Sequence, residues 1–134
     1  MSILVTTPTG NVGSRVTSRL IEENVRFHVF CRHPDALPPA VHSHATVHQG
    51  ELEDVDAFTE ALADTDSMFF VIPPNMHTND WRGWQRQIAE NAAEAAAATD
   101  VDRIVFLSSA GAQYKDVGPV SGLGAAEDRL EAAV

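Results

Sequence analysis

Residues Ser2–Gly13 read SILVTTPTGNVG, and this stretch decides the fold. Ser2–Thr6 is a short run rich in apolar and β-branched residues, the composition of a strand buried on both faces. It enters a turn and then Asn11–Glu23, where Val12, Val16, Leu20 and Ile21 recur at helical spacing on one face. A strand feeding a helix in this way is the first half of a β-α-β crossover, the unit that joins parallel strands. In the pattern G-x-x-G-x-x-G the turn places Thr7, Gly10 and Gly13 at the three glycine positions. The missing Cβ at Gly10 lets backbone amides come close to a pyrophosphate, and that at Gly13 lets the helix pack tightly on the strand. The helix N-terminus adds free N–H groups and about half a positive charge. Strand, turn and helix together point to a dinucleotide.

The rest of the chain repeats the alternation. Arg26–Cys31 and Ala45–His48 predict a second and a third strand, Met68–Ile72 a fourth and Arg103–Ser108 a fifth. Asp54–Ala63, Asp80–Ala98 and Leu123–Val134 predict helices, with Asp54 as an N-cap. His33–Ala40, which carries Pro34, Pro38 and Pro39, predicts a connection, and 110–122 a glycine-rich loop. Strands separated by helices give an α/β fold: a doubly wound parallel sheet of about five strands in the order 3-2-1-4-5, with helices on both faces. Ligands in such sheets sit at the carboxyl ends of the strands near the switch point. The loops after the first, second, fourth and fifth strands are therefore the expected site.

The second strand ends in Cys31-Arg32-His33, with no acid before Asp35. An acid there would accept from ribose hydroxyls, whereas a guanidinium pairs with a 2′-phosphate, so Arg32 favours NADP(H) over NAD(H). Trp81 and Trp84 are either walls of a substrate site or core or interface residues. Ser108 and Ser109 stand where a hydroxyl can meet nicotinamide or substrate. His42, His44 and His48 have no acid partner, and no metal site is expected.

The chain has 134 residues and a formal charge of −10. That is one domain's length. Its acidity argues against nucleic acid as a partner. No apolar run reaches the ~18 residues of a membrane span. One cysteine and no signal-peptide pattern place the expected compartment in the cytoplasm.

VTTPTGNVGSRV, FCRHPD, HQGELED, MFFVIPP, DRIVFLSSAGA and VSGLGAAEDRLEAA, in this order, resemble the NmrA-like branch of the atypical short-chain dehydrogenases/reductases, including its NAD(P)H:quinone oxidoreductases. The resemblance implies a Rossmann domain over 1–134, without the smaller C-terminal substrate lobe of that family. It implies NADP(H) or NAD(H) as cofactor and, in some members, reduction of a quinone-like small acceptor; others sense the dinucleotide without turnover. It assigns Thr7, Gly10, Asn11, Val12 and Gly13 to the phosphates and Arg32 to the 2′-phosphate. It assigns Glu51 and Leu52 to the adenine region, and Pro73 with Ser108 to the nicotinamide side. The sequence departs from the family at Thr7, where a glycine is usual, and at Glu51, where an aspartate is. It lacks Tyr-x-x-x-Lys, since Tyr114 precedes Lys115 directly. Ser108 and Tyr114 are the candidate catalytic hydroxyls, and hydride transfer to an acceptor that takes its proton from water is the expected chemistry. A homodimer that covers the fifth-strand edge is a further expectation.

Overall fold

The computed structural model describes residues 2–109, 112 and 121–134. Five parallel strands form one sheet in the order β3-β2-β1-β4-β5, as the sequence predicts. They are β1 (Ile3–Thr6), β2 (Phe27–Cys31), β3 (Ala45–Gln49), β4 (Ser67–Phe70) and β5 (Arg103–Phe106). The helices are α1 (Asn11–Glu22), α2 (Pro39–His44), α3 (Val55–Leu62), α4 (Trp81–Ala97) and α5 (Ser121–Glu131).

Two cores flank the sheet, and the pleat sorts side chains between them. On one face Val5, Val29 and Phe69 pack with Val16, Leu20 and Ile21 of α1 and Val41 of α2. On the other, Leu4, Phe30, Met68 and Phe70 pack with Phe58 and Leu62 of α3, Ile88 of α4 and Leu130 of α5. Phe30–Phe58 and Phe70–Phe106 ring pairs, 5.3 and 5.5 Å between centroids, tie β2, α3, β4 and β5 together. Each such pair contributes about 0.5–1.5 kcal/mol beyond burial. Five of the six alanines of α4 (Ala89, Ala92, Ala93, Ala95, Ala96) are buried, so this helix sits close to its neighbours.

The structure shortens two expected strands at their carboxyl ends. Pairing of β4 stops at Phe70 rather than Ile72 because Thr6 ends the ladder: its Oγ1 donates to Phe69 O (3.1 Å) and accepts from Val71 N–H (3.2 Å). Strand β5 ends at Phe106, and only Leu107 N–H reaches across to Phe70 O. The proline-rich segment is more ordered than a plain connection. Pro34–Ala36 is a 3₁₀ turn, and Pro39 occupies the first turn of α2, where its missing N–H costs nothing. His42 and His44 therefore lie on a helix. His48 instead meets His28 across the β2–β3 pair, Nδ1 of His28 to Nε2 of His48 at 3.0 Å. Among the described residues, no three His, Cys, Asp or Glu side chains are gathered to hold a metal.

Asp54 caps α3 as predicted, accepting from Ala57 N–H, and Asp80 caps α4 through Gly83 N–H. Tyr114, Lys115 and most of the expected glycine-rich loop lie outside the described residues. Among the described residues, no helix is long and apolar enough to cross a membrane.

Candidate functional site

A cleft of about 620 Å³ opens at the carboxyl end of the sheet. Its walls come from four places: Thr7–Gly10 after β1, Cys31–His33 with Ala36 at the end of β2, Gly50, Leu52 and Glu53 after β3, and Pro73–His77 after β4. Strand β1 lies at the centre of the order, with β2 and β4 on its two sides, so these connections part over it.

The floor is the turn between β1 and α1. Thr7 takes φ +47°, the left-handed conformation that glycine adopts at little cost and a β-branched residue avoids. The chain thus keeps the backbone path of the usual glycine with threonine in its place. Thr7 O accepts from Gly10 N–H at 3.1 Å, which closes the turn. A Cβ on Gly13 would collide with Thr7 O, so only glycine lets α1 start this close to β1. Unlike α3 and α4, α1 has no side-chain cap at its N-terminus; Gly10 is its N-cap residue. Its first-turn amides keep their donor capacity for an anion. This uncapped start over a cradle that a Cβ would fill fits a pyrophosphate.

Arg32 lies exposed on the cleft wall, and its carbonyl accepts from Gln49 Nε2–H at 3.3 Å. A guanidinium at this strand end suits a 2′-phosphate. Cys31 is 9% exposed at the same edge, and burial raises its thiol pKa, opposed by a backbone hydrogen bond at His33. Gly50 N–H donates to Cys31 O at 3.0 Å, and a Cβ at Gly50 would stand 2.6 Å from the Phe30 ring. Glycine here lets the loop after β3 fold over β2. Opposite, Trp84 Nε1–H donates to Pro73 O at 2.8 Å and so fixes the start of the Pro73–His77 wall.

The cleft gathers Thr7, Gly10, Arg32, Leu52 and Pro73 from the residues singled out in the sequence. Asn11, Val12 and Gly13 form the first turn of α1 rather than the wall itself. Glu51 is exposed and off the wall; its carbonyl accepts from Asp54 N–H. Ser108 is not brought to the cleft. It shares the face of Ile104 and Phe106, borders a separate cavity of about 190 Å³ beside α5, and its Oγ is buried without a partner. Of the two tryptophans only Trp84 lines the cleft. Thr9, Met76 and His77 lie in loops the sequence had marked as the expected site, whereas sequence reasoning missed Phe30, Cys31, Ala36 and Glu53. Cys31 was findable, because it immediately precedes Arg32 at the carboxyl end of β2. The others depend on how loops fold over one another.

A fold and cleft of this kind define a dinucleotide-binding domain. The chain matches the NAD(P)H-binding family model over residues 8–130, and it belongs to that family. No curated protein sequence matches it. Solved structures share its fold. Triphenylmethane reductase of Citrobacter sp. superposes with a TM-score of 0.86 at 19% identity, over 99% of this chain and 46% of that one. An NADPH-dependent quinone oxidoreductase of Escherichia coli, solved with NADPH, gives 0.82 at 21%, over 98% and 45%. A nucleoside-diphosphate-sugar epimerase of Staphylococcus aureus gives 0.85 at 23%, over 99% and 47%. The chain thus spans a little under half the length of these proteins. The dinucleotide-binding expectation and the match to an N-terminal portion both hold.

Proposed function

We propose that this chain is the dinucleotide-binding part of an NmrA-like, NADPH-dependent oxidoreductase of the cytoplasm that reduces a quinone-like acceptor by direct hydride transfer. One observation carries the reading: Arg32 and the uncapped start of α1 border the same cleft, at the two places where NADP(H) is most negative. Similarity to reductases, one of them solved with NADPH, supports it.

The α1 amides and the Thr7–Gly10 turn hold the diphosphate, and the Arg32 fork selects the 2′-phosphate over a ribose hydroxyl. Gly50–Glu53 flanks the adenine. Pro73–His77, backed by Trp84, bounds the opposite end and keeps water from one side of the reacting ring. Reduced nicotinamide supplies the hydride. The reduced oxygen of a quinone takes its proton from water, so no Tyr-x-x-x-Lys pair is required; positioning does most of the work.

The test mixes the chain with NADPH and a benzoquinone and follows nicotinamide absorbance, alongside calorimetry with NADP⁺ and NADPH. Turnover above the uncatalysed rate is expected. Binding of both forms with no turnover assigns this chain to dinucleotide sensing instead, and binding of neither rejects both readings.

A further inference from the structure

Helix α4 contributes Trp84 to the cleft wall, but it also reaches the cleft's two ends through hydrogen bonds. Trp84 Nε1–H donates to Pro73 O at 2.8 Å. Asn91, buried at 5% exposure, donates from Nδ2 to Leu52 O at 2.9 Å, and its Oδ1 accepts from Gln87 Nε2–H at 2.9 Å. Trp84 and Asn91 are seven residues apart, so they share one helix face about 10 Å apart along the axis. One donor grips the connection after β4, the other the connection after β3. These are opposite walls of the cleft, and each bond takes up a loop carbonyl that no strand partner satisfies.

The gripped loops are locally ordered beyond those points. Asn75 Oδ1 accepts from His77 N–H at 2.9 Å and Thr78 Oγ1 from Asp80 N–H at 3.1 Å. Glu51 O accepts from Asp54 N–H at 3.0 Å. Each loop thus carries internal hydrogen bonds beside its anchor on α4. Among the described residues, no hydrogen bond joins Trp84 to Asn91 or either of them to the Thr7–Gly10 turn.

We propose that Trp84 and Asn91 are positioning residues that set the two halves of the dinucleotide site separately, Asn91 the adenosine wall and Trp84 the nicotinamide wall. The proposal rests on the dinucleotide reading above. A residue serving only the stability of α4 would weaken both halves together, whereas two independent anchors divide the effect by ligand fragment.

The test titrates NADP⁺ and adenosine 2′,5′-bisphosphate, which lacks the nicotinamide half, into the chain and into two variants. Trp84→Phe removes the donor and keeps a ring. It is expected to weaken NADP⁺ roughly five- to tenfold, about the worth of one hydrogen bond, and to leave the bisphosphate unchanged. Asn91→Ala is expected to weaken both probes by a similar factor. Amide exchange without ligand provides a second readout: it should quicken at 51–54 in Asn91→Ala alone and at 75–78 in Trp84→Phe alone. Should Asn91→Ala not fold, Asn91→Ser takes its place. Equal loss of both probes in Trp84→Phe, or no loss in either variant, overturns the assignment of halves. A wild-type chain that binds neither probe removes the dinucleotide reading and this inference with it.

Discussion

At the scale of single residues, two side chains bear on the proposed site. Arg32 is the one to which the proposal gives discrimination between NADP(H) and NAD(H). Arg32→Ala should cost about 1.5–3 kcal/mol of NADP(H) affinity, the worth of a charged hydrogen-bonded pair, and leave NAD(H) nearly unchanged. Calorimetry with both dinucleotides checks this, and equal losses would show that Arg32 is not the selector. Thr7 is the strained one, at φ +47°. A left-handed conformation costs a non-glycine residue about 1–2 kcal/mol. Thr7→Gly relieves that cost and gives back up to about 1 kcal/mol through the greater freedom of the unfolded chain. The variant should therefore be as stable as the parent or up to ~1 kcal/mol more so, as read by denaturant unfolding. A clear loss of stability would mean that the threonine side chain contributes contacts which outweigh its backbone strain.

At the scale of elements, the β2–β3 pair carries a pH-dependent contact. The His48 pKa is lowered from its ordinary 6.5, first by burial and then by neighbouring His28, while Asp64 works in the opposite direction. In the unfolded chain His48 takes up a proton near its ordinary value; in the folded chain it does so only at lower pH. Its contribution is thus fully present above about pH 6.5 and is lost as pH falls from there towards the folded value. His48→Gln should flatten the stability profile in that window, and thermal melts at a series of pH values between 5 and 8 would show it. An unchanged slope would place the pH dependence elsewhere. The caps of α3 and α4 show the complementary logic. Asp54 and Asp80 use the first-turn amides of their own helices, whereas those of α1 stay available beside the cleft.

At the scale of the whole molecule, the core on the α3–α4–α5 side holds the sheet's geometry and with it the cleft. Phe58 is fully buried between Phe30 and Phe70. Phe58→Ala should cost about 3–5 kcal/mol, measured by denaturant unfolding, and little would mean that the cluster collapses around the void. Binding to the folded chain alone should have the opposite sign. NADP⁺ at a hundred times its Kd should add about 2.7 kcal/mol, seen as a higher melting temperature, and no shift would argue against a folded-state site. The other face is less complete. Ile104 and Phe106 pack inward, while Val105 and Leu107 on the α1 side of β5 remain 52% and 41% exposed. Val12, expected on the buried face of α1, is likewise 41% exposed. Val105 and Leu107 continue the alternation of β5 and still face outward, so periodicity alone does not say whether a face is covered.

The amino-acid sequence by itself determined the alternation of strands and helices, the parallel sheet, and the glycine turn that joins β1 to α1. Those follow from local rules: apolar runs, helical spacing, aspartate caps, and glycines at Gly10 and Gly13. The position of Arg32 on the cleft wall was legible for the same reason, because it stands directly after β2 at the carboxyl end of the sheet. Only the tertiary structure decided which candidates share a volume. The alternation of β5 turns Ser108 towards α5, and the fold carries Trp84 and Asn91 from one helix to two distant loops. It also paired His28 with His48, twenty residues apart in sequence. Strand ends shifted for a long-range reason too, since the β4 ladder stops where the Thr6 hydroxyl intercepts it. Such contacts depend on register and on the closeness of packed elements, which local periodicity does not encode.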